Sequence, residues 1–444
     1  MKVGFQAGDV LRDGQYEIQR LLRSARDKDV YLADDRVLGF AVTIDVFASN
    51  NTVMPNGQRV SAWEARVLGQ LGSHPNIASA QGYWVENGMP LMATRYLSGG
   101  TLHDLMRQSR ETGEPLPIGK VLRIAAEIAC GLAHIHGRRI LYRDLQPRNV
   151  LFDEWGTVHL VDFDTAALLD DPGMNDLSGR PAIGYMAPEL IAGGPADERA
   201  DLYSLGATVY EMITGQPPFT GSREEILAAH CKGSLPSLDQ DDIADATRDL
   251  VLSLLAPQRK HRPGSASEVA ERIKALSAAR DEIALLLTED ESATREFKSS
   301  FRKHCGPKDL TDKRPGAQGR ADIGRKVLET IAAFHNTSGG TLVIGVSDDR
   351  KVVGIEDEYP PVSSPRDGWR LAFDDTVSRH LGGDAMSSID LRLEPWDGHT
   401  IALVRCRPRR EPTWLDGDLY VRRTASTEKL CARDALAWCR DHWG

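Results

Sequence analysis

The sequence predicts a multidomain α+β protein, and three observations support that fold class. The 444 residues are enough for two or three domains. Alternating apolar residues at 16–22 and 40–46 predict strands near the start, whereas the apolar spacing of residues 118–137 predicts a long helix. The last third has a second mixed pattern, with a helix predicted at 327–334 and a buried strand at 341–346.

Composition and charge indicate a cytoplasmic globular protein without a membrane span. Apolar residues make up 41% and charged residues 27%, and no apolar run is long enough to cross a bilayer. The N-terminus lacks the apolar segment of a signal peptide. The six cysteines are scattered without a C-x-x-C pair, which is typical of thiols in a reducing compartment. The net charge of −10 argues against a protein that coats nucleic acid by bulk charge.

The stretch from residue 140 to residue 164 carries the strongest chemical signal. Asp144 is followed five positions later by Asn149, and Asp162 comes after a short apolar strand. Phosphoryl transfer needs a carboxylate that orients the attacking hydroxyl and oxygen ligands that hold magnesium against the phosphates. Asp144 suits the first role, and Asn149 and Asp162 suit the second.

These residues resemble the catalytic and metal-binding loops of protein kinases, H-R-D-L-x-x-x-N followed by D-F-G. The sequence departs from that pattern at three positions, with Tyr142 for His, Gln146 for Lys and Asp164 for Gly. The resemblance implies a bilobal protein kinase-like fold over residues 9–275, with a small lobe that ends at residue 95. It also implies ATP with Mg²⁺ or Mn²⁺ as cofactors, and a protein substrate that the sequence does not identify.

Two further matches extend this resemblance into the large lobe. The segment 187–189 reads A-P-E, and Arg262 lies where the family has an arginine that pairs with this glutamate. Asp201 resembles the aspartate of a buried helix that braces the backbone of the catalytic loop. The resemblance therefore implies that both interactions form.

The phosphate-binding lysine of the family is the main feature that the sequence lacks. Thr43 is aligned with that lysine, so Glu64, which matches the lysine-pairing glutamate, has no expected partner. Lys28 stands at the third glycine position of the loop that covers ATP, whose other two positions hold Arg23 and Ala25. Its place is similar to that of the catalytic lysine in with-no-lysine kinases, and a flexible stem can deliver the charge from either strand. Two interpretations stay open: an active kinase that uses Lys28, or a pseudokinase in which Lys28 is a solvated charge.

A second resemblance begins near residue 290. The sequence has E-F-K at 296–298, N-T-S-G-G at 336–340 and I-G-V-S-D-D at 344–349. This combination is similar to the AlbA-type domain of Schlafen proteins. The predicted boundaries are residues 276–289 for a helical linker, 290–430 for the Schlafen-like AlbA-type domain and 431–444 for a C-terminal helix.

The Schlafen resemblance implies a candidate metal site, because some members are RNA nucleases that use three carboxylates. The matching acids are Glu291, Glu296 and Asp348. Glu291 and Glu296 cannot share a face of a regular helix or strand, so a bend at 292–294 is needed to make them converge. Three carboxylates suit Mg²⁺ or Mn²⁺, which would activate water. The alternative is a domain that binds nucleic acid without cutting it.

Basic side chains in the same domain are candidates for contacts with phosphates, and such contacts weaken as salt rises. The candidates are Lys298, Arg302, Lys303, Arg325, Lys326, Arg422 and Arg423. RNA is the favoured partner and DNA the alternative, and a homodimer is compatible with the sequence.

Three functions stay open for this bacterial-looking fusion. The first is an atypical serine/threonine kinase-like regulator joined to a nucleic-acid effector. The second is a pseudokinase that controls a Schlafen-type RNA nuclease. The third is a non-enzymatic adaptor that binds nucleic acid.

Overall fold

The chain forms two compact units. The structure is a computed structural model that describes residues 4–24, 28–48, 60–169, 183–232, 237–238, 243–301, 317–362 and 364–443. One unit comprises Met1–Leu238 and Ala246–Arg280, and the other Asp239–Asp245 and Asp281–Gly444. Each has its own hydrophobic core and contains both strands and helices, which confirms the predicted multidomain α+β class.

The first unit begins with an antiparallel sheet in the strand order β1-β2-β3-β4-β6-β5. Its strands are β1 (Val10–Leu11), β2 (Tyr16–Ser24), β3 (Lys28–Asp35), β4 (Phe40–Phe47), β5 (Ala80–Glu86) and β6 (Met89–Arg95). Helix α1 (Val60–Leu71) follows β4 in the sequence. Alternation along the strands buries Tyr16, Ile18 and Ile44 on one face, where they form the core of this part.

The rest of the first unit is mainly helical. Its helices are α2 (Leu102–Thr112), α3 (Ile118–Gly137), α4 (Pro188–Ile191), α5 (Arg199–Thr214), α6 (Arg223–Lys232), nearly all of α7 (Asp245–Leu254) and the part of α8 (Ala266–Thr288) up to Arg280, and its short strands are β7 (Ile140–Leu141), β8 (Val150–Phe152), β9 (Val158–Leu160) and β10 (Ala167–Leu168). Helices α3 and α8 coincide with the apolar-periodic segments of the sequence. Nearly every residue of α5 is buried, so this helix packs against other elements on all sides.

An ion pair joins the A-P-E segment to the end of the helical region. The Arg262 guanidinium donates two hydrogen bonds to the Glu189 carboxylate, at 2.7 and 2.9 Å. It also donates to the carbonyls of Ala256 and Arg199 and stacks over Tyr203. The Arg262 side chain is fully buried, so the interaction that the resemblance implied is an internal part of the fold.

The second unit is built around a mixed sheet in the order β11-β12-β14-β13, in which β11 runs parallel to β12 and the other pairs are antiparallel. Its elements are β11 (Arg295–Lys298), α9 (Ala317–His335), β12 (Gly340–Ile344), α10 (Pro365–Leu381), β13 (Ile389–Trp396), β14 (His399–Cys406), β15 (Trp414–Leu415), β16 (Asp418–Arg423), β17 (Ser426–Lys429) and α11 (Ala432–Trp443). Among the helices of the described residues, none has the length and apolar character needed to cross a membrane.

Strand β12 is buried on both faces, which explains its continuous apolar sequence. Leu342 and Ile344 pack with residues of α9 and α10, including Phe334 and Trp369. Val343 points the other way, into a second apolar cluster. The sheet therefore separates two apolar layers.

The N-T-S-G-G segment has a structural role. The Asn336 side-chain amide donates to the carbonyls of Thr413 and Tyr420, each at 2.9 Å, and its oxygen accepts from the Thr413 N–H. Gly339 has φ +77°, and a Cβ there would lie 2.6 Å from the carbonyl oxygen of Cys406. A Cβ on Gly340 would meet the Phe334 ring at 2.5 Å. Glycine is therefore required where α9 turns into β12.

The buried Arg262 pair gives a prediction about stability. Arg262→Leu removes a buried cation and leaves the Glu189 carboxylate and three carbonyls, those of Ala256, Arg199 and Pro257, without their donor, which should destabilise the first unit by about 3 kcal/mol. Hydrogen–deuterium exchange of the full chain should show faster exchange in α4 and α5.

The matched control is Arg259→Ala, because Arg259 and Asp197 form an exposed pair, 45% and 43% accessible. Such a pair contributes about 0–1 kcal/mol, so this variant should exchange like the wild type. Equal exchange in both variants would contradict a structural role for the Arg262 pair.

Candidate active site

Lys28 lies among three carboxylates of the first unit. Its Nζ is 2.9 Å from Asp45 Oδ2, 3.4 Å from Asp162 Oδ1 and 3.7 Å from Glu64 Oε2. The Lys28 side chain is only 16% exposed, so solvent screens these contacts incompletely. Lys28 is therefore a paired cation that reaches Glu64 on α1 and Asp162, and it is not a solvated charge.

Thr43 is aligned with the family's lysine, but another residue of β4, Asp45, contacts Lys28 in the structure. Thr43 and Asp45 lie on the same face of β4, because strand side chains alternate, and both line one cavity. Asp45 contacts Lys28 and acts on the charge of Glu64, whereas the Thr43 hydroxyl is 2.6 Å from that of Thr94. The residue of β4 that contacts Lys28 is thus Asp45 and not Thr43. A shift of two residues preserves the alternation, so the pattern alone could not decide between them.

The carboxylates keep Lys28 charged. Burial lowers the pKa of its ammonium group, but Asp162, Asp45 and Glu64 outweigh that effect and raise the pKa well above its ordinary value. Burial also raises the pKa of Glu64 to about 8, against the opposing effect of Lys28. At neutral pH the two raised pKa values favour the charged ammonium of Lys28 and the protonated carboxyl of Glu64.

Two side-chain amides orient the Asp144 carboxylate. Gln146 Nε2 donates to Oδ1 at 2.8 Å and Asn149 Nδ2 donates to Oδ2 at 2.7 Å. Burial, followed by the charge of Asp162, raises the pKa of Asp144 to about 7, although the two amides oppose the shift. Asp144 is held in one orientation and titrates near neutral pH, which suits a group that accepts a proton from a hydroxyl.

Asp201 holds the backbone of the catalytic loop from α5. Its carboxylate accepts hydrogen bonds from the N–H groups of Tyr142, at 2.9 Å, and Arg143, at 2.7 Å. His136 Nε2 lies 2.8 Å from the same carboxylate. Arg143 has φ +68°, an uncommon conformation for this residue type that these bonds help to maintain. The bracing role that the resemblance implied for Asp201 is therefore present in the geometry.

Tyr142 links the catalytic loop to the segment that carries Asp162. Its hydroxyl donates to the carbonyl of Val161, and its ring lies 5.1 Å from that of Phe163. The Phe163 N–H donates to Glu64 at 3.2 Å, and Asp162 itself has φ +63°. Tyrosine in place of histidine therefore fixes the backbone next to Asp162 through a longer side chain.

Lys28, Asn149 and Asp162 line one cavity of about 400 Å³. The wall also contains apolar side chains that suit the flat face of a base, namely Val30, Met92, Leu97 and Leu151. The Asp162 side chain is 21% exposed, and carboxylate and amide oxygens are donors that hard divalent cations prefer. The residues present thus fit a nucleotide with a divalent cation.

Comparison with known proteins identifies the first unit. The family model described as "Protein kinase domain" matches residues 36–273. The chain belongs to the protein kinase domain family. Membership implies ATP and a divalent metal as cofactors. Lys28 lies just outside the span of the kinase domain that the family model matches.

Two of the similar proteins are bacterial serine/threonine-protein kinases. The chain is 29% identical over 294 residues to the serine/threonine-protein kinase PrkC of Bacillus subtilis, covering 64% of this chain and 44% of the relative. It is 34% identical over 269 residues to the DNA damage-responsive serine/threonine-protein kinase RqkA of Deinococcus radiodurans, covering 58% of this chain and 39% of the relative. The chain thus spans less than half the length of both.

The second unit contains the other predicted family. The model described as "Schlafen, AlbA_2" matches residues 291–431, so the kinase domain is fused to an AlbA_2 domain. The expected bend is present, since Ser292 and Arg295 bond to each other across a tight turn. Glu291 accepts a hydrogen bond from the N–H of Phe297 at 3.1 Å.

The structure does not assemble the three acids of the AlbA_2 domain into a preformed metal site. Glu296 is buried and pairs with Lys298 and Arg422. Asp348 is exposed in the turn after β12. Across the described residues, no group of three or more His, Cys, Asp or Glu side chains is placed to hold a metal ion. A role for Glu291, Glu296 and Asp348 as ligands therefore stays a prediction without a preformed site.

The basic residues that were candidates for phosphate contacts differ in their exposure to solvent. Arg422 is buried against Glu296 and the carbonyl of Ser292, which corrects its assignment as a surface contact. Lys298 is mostly buried beside Glu296. The exposed residues are Arg325, which pairs with Glu329 and Asp416, Arg423, which pairs with Glu428, and Lys326. Arg302 and Lys303 lie outside the described residues, as does Ala25 of the nucleotide loop.

The raised pKa of Asp144 gives a prediction about pH. A carboxyl whose folded pKa lies above its unfolded value stabilises the fold at low pH, and this contribution is lost as pH rises from about 4 to about 7. A shift from 3.8 to about 7 corresponds to at most about 4 kcal/mol, since each unit is worth about 1.4 kcal/mol. Asp144→Asn lacks this loss, so in calorimetry in EDTA the melting temperature of the variant relative to wild type should rise by several degrees between pH 5 and pH 8.

The control is Asp249→Asn, at an exposed position of α7. Its melting temperature should follow the wild-type pH curve. A difference between Asp144→Asn and wild type that does not change with pH would contradict the raised pKa.

Proposed function

We propose that the kinase domain is an active serine/threonine protein kinase that binds Mg·ATP with Lys28 as its phosphate-binding lysine. The observation that carries the proposal is the contact of Lys28 with both Glu64 and Asp162 from strand β3. The cation has the partners that the family's lysine needs, although it starts from a different strand. Serine and threonine are the proposed acceptors because the relatives PrkC and RqkA are serine/threonine-protein kinases.

The charged and polar residues of the site have separate proposed roles. Lys28 would place a positive charge against the nucleotide phosphates, and Asp162 and Asn149 would hold the divalent cation. That cation, when bound, bridges phosphate oxygens and offsets their charge. Asp144 would orient the acceptor hydroxyl and take up its proton, since Gln146 and Asn149 already fix its carboxylate.

Asp45 supports the competing pseudokinase interpretation. It is the carboxylate nearest to Lys28, and a phosphate must compete with it for the ammonium group. If Asp45 holds Lys28 too tightly, the kinase domain would bind nucleotide weakly and serve only as a regulator. Nucleotide binding and phosphate transfer therefore have to be measured separately.

The test of Lys28 removes the lysine from β3 and then places one on β4. Lys28→Ala should weaken binding of Mg·ATP about 10- to 100-fold, because a hydrogen bond between charged groups is lost. Lys28→Ala combined with Asp45→Lys should recover part of this binding, since residue 45 lines the same cavity and its side chain lies beside the position of the Lys28 ammonium. Isothermal titration calorimetry measures binding, and Asp144→Asn should retain it while losing about 10²- to 10⁴-fold in phosphate transfer.

The control for the lysine is Lys120→Ala, on α3 and outside this cavity, which should bind Mg·ATP like the wild type. Wild-type affinity in Lys28→Ala would reject the assignment of Lys28 alone. A wild type that binds Mg·ATP but transfers no phosphate would favour the pseudokinase, and one without magnesium-dependent binding would reject the kinase proposal.

For the AlbA_2 domain we propose nucleic-acid binding, with RNA as the favoured ligand. What supports binding over cleavage is the pairing of Glu296 with Lys298 and Arg422, which engages both carboxylate oxygens that a metal would need. Cleavage would require ligands to rearrange around Glu291 and Asp348. The nuclease is therefore the second candidate.

Asp348→Asn tests the nuclease because Asp348 is exposed and its replacement should not disturb the core. Wild type and variant are incubated with transfer RNA, ribosomal RNA and DNA in Mn²⁺ or EDTA. We expect salt-dependent binding without cleavage by either protein. Mn²⁺-dependent cleavage that Asp348→Asn abolishes would establish the nuclease instead, and cleavage that is equal in both would indicate a contaminant.

A further inference from the structure

Arg148 is the exposed residue of the catalytic loop. Within residues 140–150, all of which the structure describes, no other side chain is classed as exposed, and Pro147 and Asn149 on either side are buried. Arg148 lines the same cavity as Asn149. Since Asn149 bonds to the Asp144 carboxylate, Arg148 is attached one residue from the partner of the proposed base. A substrate chain that brings its hydroxyl to Asp144 therefore meets the loop that carries this guanidinium.

His103 holds Arg148 without neutralising it. The Arg148 Nη2 lies 3.2 Å from His103 Nε2. Burial, and then the charge of Arg148, lowers the pKa of His103, so its ring is neutral near pH 7 and accepts the hydrogen bond. Across the part of the chain that the structure describes, no carboxylate forms an ion pair with Arg148. The positive charge is oriented and remains available to a ligand.

The neighbouring acid of this surface is already engaged. Glu211 is buried and accepts hydrogen bonds from Arg110, at 3.2 Å, and from the Tyr185 hydroxyl. Arg110 also donates to the carbonyl of Gly215 at 3.0 Å, which keeps it in place. Asp104, which lines the cavity, accepts from Thr101 and pairs with Arg107. Among these described residues, Arg148 is therefore the charged side chain without an ionic partner.

We propose that Arg148, held by His103, selects protein substrates with an anionic side chain, that of Asp, Glu or a phosphorylated residue, near the acceptor Ser or Thr. This inference rests on the proposed kinase activity and adds its substrate class. A guanidinium binds a carboxylate or phosphate with two parallel hydrogen bonds, which are stronger than neutral ones. A basic side chain at the same place would meet a like charge.

The experiment compares peptides that share one acceptor residue in a neutral background. Glu, phosphoserine, Ala or Lys is placed at each flanking position in turn, and the full chain phosphorylates each peptide with radiolabelled ATP. At one or more positions, wild-type kcat/KM should be about 10- to 100-fold higher for Glu or phosphoserine than for Ala, as expected for a charge-assisted pair. Equal gains with Glu and phosphoserine indicate a carboxylate-sized subsite, and a gain with phosphoserine alone indicates one that reads phosphate.

Three variants test the residue itself. Arg148→Gln should abolish the acidic preference and Arg148→Glu should replace it with a preference for Lys. Arg123→Gln, on the exposed face of α3, should keep the wild-type preference. Because each preference is a ratio of rates within one variant, a general loss of activity does not affect it.

The failures of the two proposals are distinguishable. Equal wild-type rates for all peptides, or an acidic preference that persists in Arg148→Glu, would overturn the Arg148 subsite while leaving the kinase standing. If the wild type phosphorylates no peptide, the subsite is overturned, and if it also binds no Mg·ATP, the proposed kinase falls with it.

Discussion

The ion cluster around Lys28 is the interaction on which the first unit's site depends. Asp45 comes from β4, Glu64 from α1 and Asp162 from the segment after β9. Three carboxylates this close would repel one another strongly in a partly buried position, so the cluster requires a cation. Lys28 supplies it from β3 and thereby ties two strands, a helix and the Asp162 segment to one ammonium group. The same group faces the cavity, so the ion pairs that hold the site together also prepare it for phosphate.

The catalytic loop is fixed by a second, independent set of contacts. Asp201, on the buried helix α5, accepts hydrogen bonds from the backbone of Tyr142 and Arg143. The Tyr142 hydroxyl in turn donates a hydrogen bond to the carbonyl of Val161. Asp144 can be held by amides because the backbone around it is already determined. The departures from the family pattern at Tyr142 and Gln146 therefore preserve the contacts of the loop, although they change the side chains that make them.

Acidic and basic side chains are also paired in the AlbA_2 domain, where the pair stabilises the fold. Glu296 and Arg422 are buried together, and Arg422 also binds the carbonyls that form the turn before β11. A buried ion pair of this kind fixes the local fold, since either charge alone would be costly to bury. Glu296, one of the three acids that resemble a catalytic set in sequence, thus makes structural contacts here, whereas Asp348 of the same set is exposed.

The sequence by itself determined the two families, the fold class and the motifs whose residues are close together in the chain. Asp144, Asn149 and Asp162 lie close together in the chain, so their motif could be read directly. The sequence also raised Lys28 as a replacement for the missing lysine, but only the tertiary structure decided that its ammonium reaches Glu64 and Asp162, because those contacts join residues far apart in the chain. The role of Asp45 was decided in the same way, since strand alternation puts Thr43 and Asp45 on one face and only the folded structure shows that Asp45 contacts Lys28 whereas Thr43 contacts Thr94. The burial of Arg422 was also invisible to the sequence, because a charged residue in a strand is exposed or buried according to what packs over it.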